Sequence, residues 1–81
     1  MPYLELMPYY GRDYSTQAAV KADWERDDRD FRVSEPNGLP GVGFGMATNR
    51  RDLLELQKQL GEKLNIIVRY SKLEKVMQVK L

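Results

Sequence analysis

Asn65-Ile66-Ile67-Val68-Arg69-Tyr70, followed by Ser71-Lys72-Leu73-Glu74-Lys75 and then Val76-Met77-Gln78-Val79-Lys80-Leu81, carries the clearest β signal in the chain. Its first six residues are rich in β-branched and aromatic types that fit a pleated surface, its middle five are turn-like, and its last six alternate apolar with polar. The pattern predicts a β-hairpin, and the rest of the chain must supply strands to pair with it and helices to cover it.

Moving upstream, Asn49-Arg50-Arg51-Asp52 announces a helix. Asn is a strong N-cap because its side chain accepts from an unpaired amide of the first turn, and Asp52 puts a carboxylate where the helix dipole favours it. Leu53, Leu56 and Leu60, with Leu54 beside them, follow helical spacing from Arg50 to about Leu60, and Gly61 suits the left-handed residue that ends a helix. Before it, Gly43-Phe44-Gly45-Met46-Ala47 is expected to be a short strand weakened by its glycines, and Glu35-Pro36-Asn37-Gly38-Leu39-Pro40-Gly41 a turn or loop.

The N-terminal half carries three further elements. Tyr3-Leu4-Glu5-Leu6-Met7 reads as a strand bracketed by Pro2 and Pro8, which suit strand ends or a sheet edge because proline cannot donate to a ladder. Ser15-Thr16-Gln17 opens a helix whose buried face is narrow, with Val20 and Trp24 four apart, and which frays after about Glu25 because Asp27 and Asp28 oppose the dipole. Asp30-Phe31-Arg32-Val33-Ser34 is the second strand. The order β-α-β-β-α-β-β over residues 1–81 predicts one small α+β domain, a mostly antiparallel sheet with two helices on one face, and Trp24, Leu53, Leu56 and Ile67 meeting in its core.

Composition narrows the chemistry. The 81 residues contain no cysteine and no histidine, which removes disulfides, thiolate and imidazole metal ligands, thiol catalysis and Ser-His nucleophiles together. A chain of this size buries only about 60–65% of its extended surface, so its core must be efficient or be completed by a second subunit. Net charge is +1, from 13 basic and 12 acidic residues, so no global field points to nucleic acid or a membrane. No apolar run approaches the roughly 18 residues that span a bilayer, and Met1-Pro2-Tyr3-Leu4-Glu5 does not resemble a signal peptide. A reducing cytoplasm is the expected compartment, with no membrane and no cofactor.

Tyr9, Tyr10, Arg12, Asp13 and Tyr14, gathered around Gly11, are the densest cluster of unusual side chains and form the candidate partner-binding patch. Tyrosine and arginine are enriched at binding hot spots because each offers a flat apolar area with a polar tip. The plainer reading is that one or two of the tyrosines cover the core while Arg12 and Asp13 pair locally. The alternative site is anionic recognition by Arg50, Arg51, Lys58, Lys63 and Arg69. It is suggested by two basic residues in the first turn of a helix and by a charge of −3 on residues 1–40 against +4 on residues 41–81.

Other patterns are weaker. Pro40-Gly41-Val42-Gly43-Phe44-Gly45 has its third glycine one residue too early for a dinucleotide fingerprint, and no Gly-Lys-Ser/Thr is present. The five carboxylates between Asp23 and Asp30 lack calcium-loop spacing and are interleaved with arginines, so the run reads as a salt-bridged helix end with no metal.

Tyr10-Gly11-Arg12-Asp13-Tyr14, Ala19-Val20, Asp23-Trp24, Asp30-Phe31-Arg32 and Ile67-Val68-Arg69-Tyr70-Ser71-Lys72-Leu73 together resemble short open reading frames common in tailed-bacteriophage genomes, a group without an established activity. The resemblance spans most of the chain, although the loop from Glu35 to Gly45 is longer than that pattern. It implies a phage-encoded accessory factor that binds and modulates a host protein, in host takeover or anti-defence, and it transfers no catalytic residue. The combined expectation is a non-enzymatic binding protein whose partner is a host protein. A nucleic-acid or nucleotide-binding module is the alternative. A homodimer paired through an edge of the terminal hairpin or the first strand is a third reading.

Overall fold

The computed structural model describes residues 3–10, 12, 14–37, 39 and 41–81. In chain order the elements are β1 (Tyr3–Met7), α1 (Gln17–Trp24), β2 (Phe31–Asn37), β3 (Ala47–Thr48), α2 (Arg50–Leu60), β4 (Asn65–Arg69) and β5 (Val76–Val79). They build the α+β arrangement anticipated above: one five-stranded sheet in the order β3-β2-β1-β4-β5, covered by two helices. Three strand pairs are antiparallel and one, β1 with β4, is parallel.

The register explains which side chains reach the helices. Leu4 lies opposite Ile66, Leu6 opposite both Val68 and Val33, and Ile66 opposite Val79. Because side chains alternate across a sheet, these residues and Phe31 share one face, where they meet Val20 and Trp24 of α1 and Leu53 of α2 in a single cluster. Leu56 packs on it half-buried. Ile67 does not join: it pairs with Glu5 on the opposite face. With Ile66 and Val68 committed to the helix side, the residue between them must point away.

Trp24 anchors α1 at two points. Its ring meets Phe31 edge-on at 5.7 Å between centroids, and its indole Nε1 donates to the Lys80 carbonyl at 3.1 Å. At the start of α2 the Asp52 amide donates to Asn49 Oδ1 at 2.9 Å while Asn49 Nδ2 donates to Asp30 Oδ1. Gly61 closes the helix at φ +70, a left-handed conformation that a β-carbon disfavours.

Three local expectations are corrected. β1, flanked by β2 and β4, is central, so Pro8 marks a strand end and not a sheet edge and the first strand has no free edge to pair with a second copy; β3 and β5 form the edges. The strand expected over Gly43–Ala47 is Ala47–Thr48: Gly45 sits at φ +85 and breaks the regular extension there, although its amide donates to the Val33 carbonyl and the Val33 amide to the Met46 carbonyl, each at 2.8 Å. β2, in contrast, runs through Glu35, Pro36 and Asn37, residues that resemble a turn. The register of β1 against β2 slips between Glu5 and Leu6, and Ser34, left over at this bulge, donates its hydroxyl to the Glu5 carbonyl at 3.1 Å. Pro36 is tolerated because β3 pairs with Phe31 and Arg32 and the further backbone bonds on that side reach only Val33, so no ladder partner awaits an amide at Pro36.

Candidate functional site

β1 and β4 run parallel and adjacent, so their C-terminal ends open on the same border of the sheet. From there the chain departs in two directions, into the segment that leads to α1 and into the β4–β5 turn. Divergence of this kind leaves a crevice beyond the strand ends. The crevice here has a volume of about 560 Å³, with Met7, Pro8, Tyr14 and Tyr70 among its lining and Tyr10 and Leu73 on its borders. Tyr10 is 90% exposed and Leu73 81% exposed. Two large apolar side chains standing in solvent beside an apolar groove are the surface feature that sets this region apart from ordinary scattered exposure.

Arg12 holds one wall in place. Its guanidinium donates to Asp23 Oδ2 and to the Tyr14 hydroxyl, each at 3.0 Å, and to the Asp30 carbonyl. It also lies 5.4–5.9 Å from the ring centroids of Tyr9, Tyr14 and Phe31. Tyr14 is buried and stacks on Phe31 at 6.2 Å. The proposed patch therefore divides. Arg12 and Tyr14 are framework, Tyr9 is half-buried, Tyr10 is free surface, and Asp13 lies outside the described residues.

The opposite wall is the β4–β5 turn. The Tyr70 amide donates to the Lys75 carbonyl at 3.0 Å, the Glu74 amide to the Ser71 carbonyl at 3.0 Å, and the Leu73 amide to Ser71 Oγ at 3.1 Å. Glu74 completes the turn at φ +61, a left-handed conformation that is costly for a residue with a side chain. These bonds fix Leu73 in its outward position.

Beneath the groove the sheet's open face carries a buried acid. Glu5 is 3% exposed, accepts from the Tyr3 hydroxyl at 2.8 Å, and is gripped by the Arg69 guanidinium. Burial pushes its carboxyl pKa up, but the hydrogen bonds from Tyr3 and Arg69 together with the Arg69 charge outweigh burial and hold it below the ordinary value. The hydrogen bond to Glu5 correspondingly raises the pKa of Arg69. The Tyr3 phenol is pushed up by burial and by the neighbouring carboxylate.

The residues of the anionic alternative are spread apart. Arg50 donates to Asp27 at 2.8 Å at the start of α2, and Arg51 is exposed beside it. Lys58 lies about 12 Å along the helix from Arg50 at the usual helical rise and Lys63 beyond the helix end, both in a shallow depression shared with Glu62. Arg69 is committed to Glu5. The amides at the start of α2 already face Asn49, with Asp27, Asp30 and Asp52 nearby, so that end of the helix is not an electropositive site.

The acidic run after α1 is a network of ion pairs: Asp23 with Arg12 and Arg29, Asp28 with Arg26, Asp27 with Arg50. The sequence reading missed half of the groove, namely Tyr70, Lys72, Leu73 and Lys75. The available signal was Leu73, an apolar residue in the middle of a polar turn. Among the described residues no helix is long and apolar enough to cross a membrane. No protein-family model, curated protein or solved structure matches the chain.

Proposed function

We propose that the chain is a binding protein that acts by occupying a surface of another protein, and that the groove between the β1–α1 segment and the β4–β5 turn is its contact site. The observation that carries this reading is the pair Tyr10 and Leu73, both almost fully exposed on the borders of one apolar crevice. Exposing such side chains gives the isolated chain nothing, whereas covering them with a partner removes apolar area from water at roughly 25 cal/mol per Å². Aromatic anchors in central pockets dominate the energetics of many interfaces. The rigid framework of Arg12, Tyr14, Phe31 and the turn supports the same reading, because a preorganised surface loses little entropy on binding. The resemblance to tailed-phage reading frames supports a host protein as the partner, with host takeover or anti-defence as the outcome.

Affinity capture from host lysate with the wild type and a Tyr10→Ala, Leu73→Ala variant tests the proposal. Both side chains are exposed, so the variant keeps the wild-type unfolding curve and loses the captured protein. Capture that ignores the two substitutions, or no captured protein at all, ends the reading. Arg12→Ala and Tyr14→Ala are unsuitable for this purpose, since both remove framework and would confuse lost contact with lost fold.

A further inference from the structure

The groove carries a charge pattern that its apolar floor does not require. Arg12, Arg69, Lys72 and Lys75 line it, and none of the described residues lining it is a carboxylate. Arg12 is satisfied by Asp23 and Arg69 by Glu5. Lys72 and Lys75 are exposed and join no ion pair among the described residues. Glu74, which stands between them in the turn, approaches Arg69 at 3.9 Å and is 82% exposed, so it only partly offsets the two lysines. Positive charge therefore borders the apolar crevice on the Leu73 side.

A single nucleic-acid strand would match the charge but not the rings. Stacked bases need free aromatic faces along a track. Here the Tyr14 face lies on Phe31, the Tyr9 ring is under the Arg12 guanidinium, Tyr70 is buried, and the Tyr10 ring carries Arg32 at 5.3 Å on one side. One open face remains, which is too little for a run of bases. A crevice of several hundred Å³ with an apolar floor instead accommodates a bulky side chain.

Resting on the reading above, we infer that the groove takes an acidic peptide segment of the partner, with one bulky apolar side chain seated between Tyr10 and Leu73 and flanking aspartates or glutamates facing Lys72 and Lys75. The apolar anchor supplies affinity. The lysines select sign and orient the segment, as rim charges do.

The probes are short fluorescein-labelled peptides in fluorescence anisotropy: an Asp/Glu-rich peptide with a central Trp, the same peptide with a central Ala, and a Lys-rich peptide with a central Trp, with oligothymidylate as a fourth ligand. The wild type binds the acidic Trp peptide at least about tenfold more tightly than any of the others. A Lys72→Glu, Lys75→Glu variant and the Tyr10→Ala, Leu73→Ala variant each lose about tenfold for that peptide while unfolding as the wild type does. Equal binding of the Lys-rich peptide, preference for oligothymidylate, or no peptide binding overturns the inference. The capture experiment separates this failure from failure of the broader proposal. Capture that depends on Tyr10 and Leu73 but not on Lys72 and Lys75 leaves a protein-binding groove without acid selectivity, whereas capture blind to all four residues removes both.

Discussion

Arg69→Met isolates the Glu5 carboxylate inside the sheet and is the sharpest test of how this fold is held together. The Glu5 side chain is 4% exposed and that of Arg69 28%. Removing one partner of a buried ion pair typically costs about 3–5 kcal/mol, because the remaining charge keeps its desolvation penalty without compensation. Arg69 is partly solvated, and Tyr3 still donates to Glu5, so the loss here is nearer about 2–3 kcal/mol. For a domain of this size that lowers the melting temperature by about 10–20 °C. Urea unfolding followed by the fluorescence of the single tryptophan, Trp24, measures it directly. A Glu5→Leu, Arg69→Met double variant recovers most of the loss, since replacing both partners removes the orphaned charge as well as the pair.

The pH dependence follows with a definite sign. In the wild type the Glu5 pKa lies below its ordinary 4.5. Its stabilisation is present above pH 4.5 and is lost as pH falls through the lower folded value. In Arg69→Met the burial contribution prevails and the folded pKa rises above 4.5, so the variant is relatively favoured in acid and loses stability as pH rises through that raised value. The gap between the two proteins is widest near neutrality, begins to close as pH falls through the variant's raised value, and goes on closing as pH falls through the wild type's lowered one. A double variant as unstable as Arg69→Met, or a gap that does not change with pH, excludes an orphaned buried Glu5 carboxylate as the cause of the loss.

Three further outcomes can be checked by denaturation curves followed by circular dichroism. Glu74→Gly relieves the left-handed backbone at φ +61 and raises stability by about 0.5–1 kcal/mol, whereas a lower urea midpoint would show that the Glu74 side chain contributes more than its conformation costs. Trp24→Phe keeps a ring against Phe31 but orphans the Lys80 carbonyl; it should cost about 1–2 kcal/mol by circular dichroism, and no loss would mean that water replaces the indole without penalty. Asn49→Ala removes the α2 cap for about 1–2 kcal/mol. Asn49→Asp restores the cap acceptor but sets a carboxylate against Asp30, so it recovers only part of that loss, and full recovery would argue against the cross-element contact.

The elements legible in advance are those whose signals lie within a few residues of one another. Asn49 caps α2 and Gly61 ends it because both act on the backbone of their own helix. The β4–β5 hairpin is legible because its two strands and turn are contiguous. The acidic run at the end of α1 was readable as ion pairs only in part: Asp23 with Arg29 and Asp28 with Arg26 pair within it, whereas Asp23 also meets Arg12 and Asp27 meets Arg50, both outside it. Less accessible was the role of Arg12: its nearest partners include Asp23 and Asp30, which only the packing of α1 and β2 brings beside it. The groove is harder still, since its walls come from residues about sixty positions apart and neither wall looks like a site alone.

The number and order of helices and strands, the α+β class, the two ends of α2 and the lack of thiol and imidazole side chains are all written in composition or short-range periodicity. That β1 is central and parallel to β4, that Ile66 and Val68 face the helices while Ile67 turns away beside Glu5, and that Tyr10 and Leu73 border one crevice emerge only when the whole chain is folded. Strand order and register are fixed by which apolar faces can be buried together across the whole chain, a choice made by long-range pairing that no local window of residues contains.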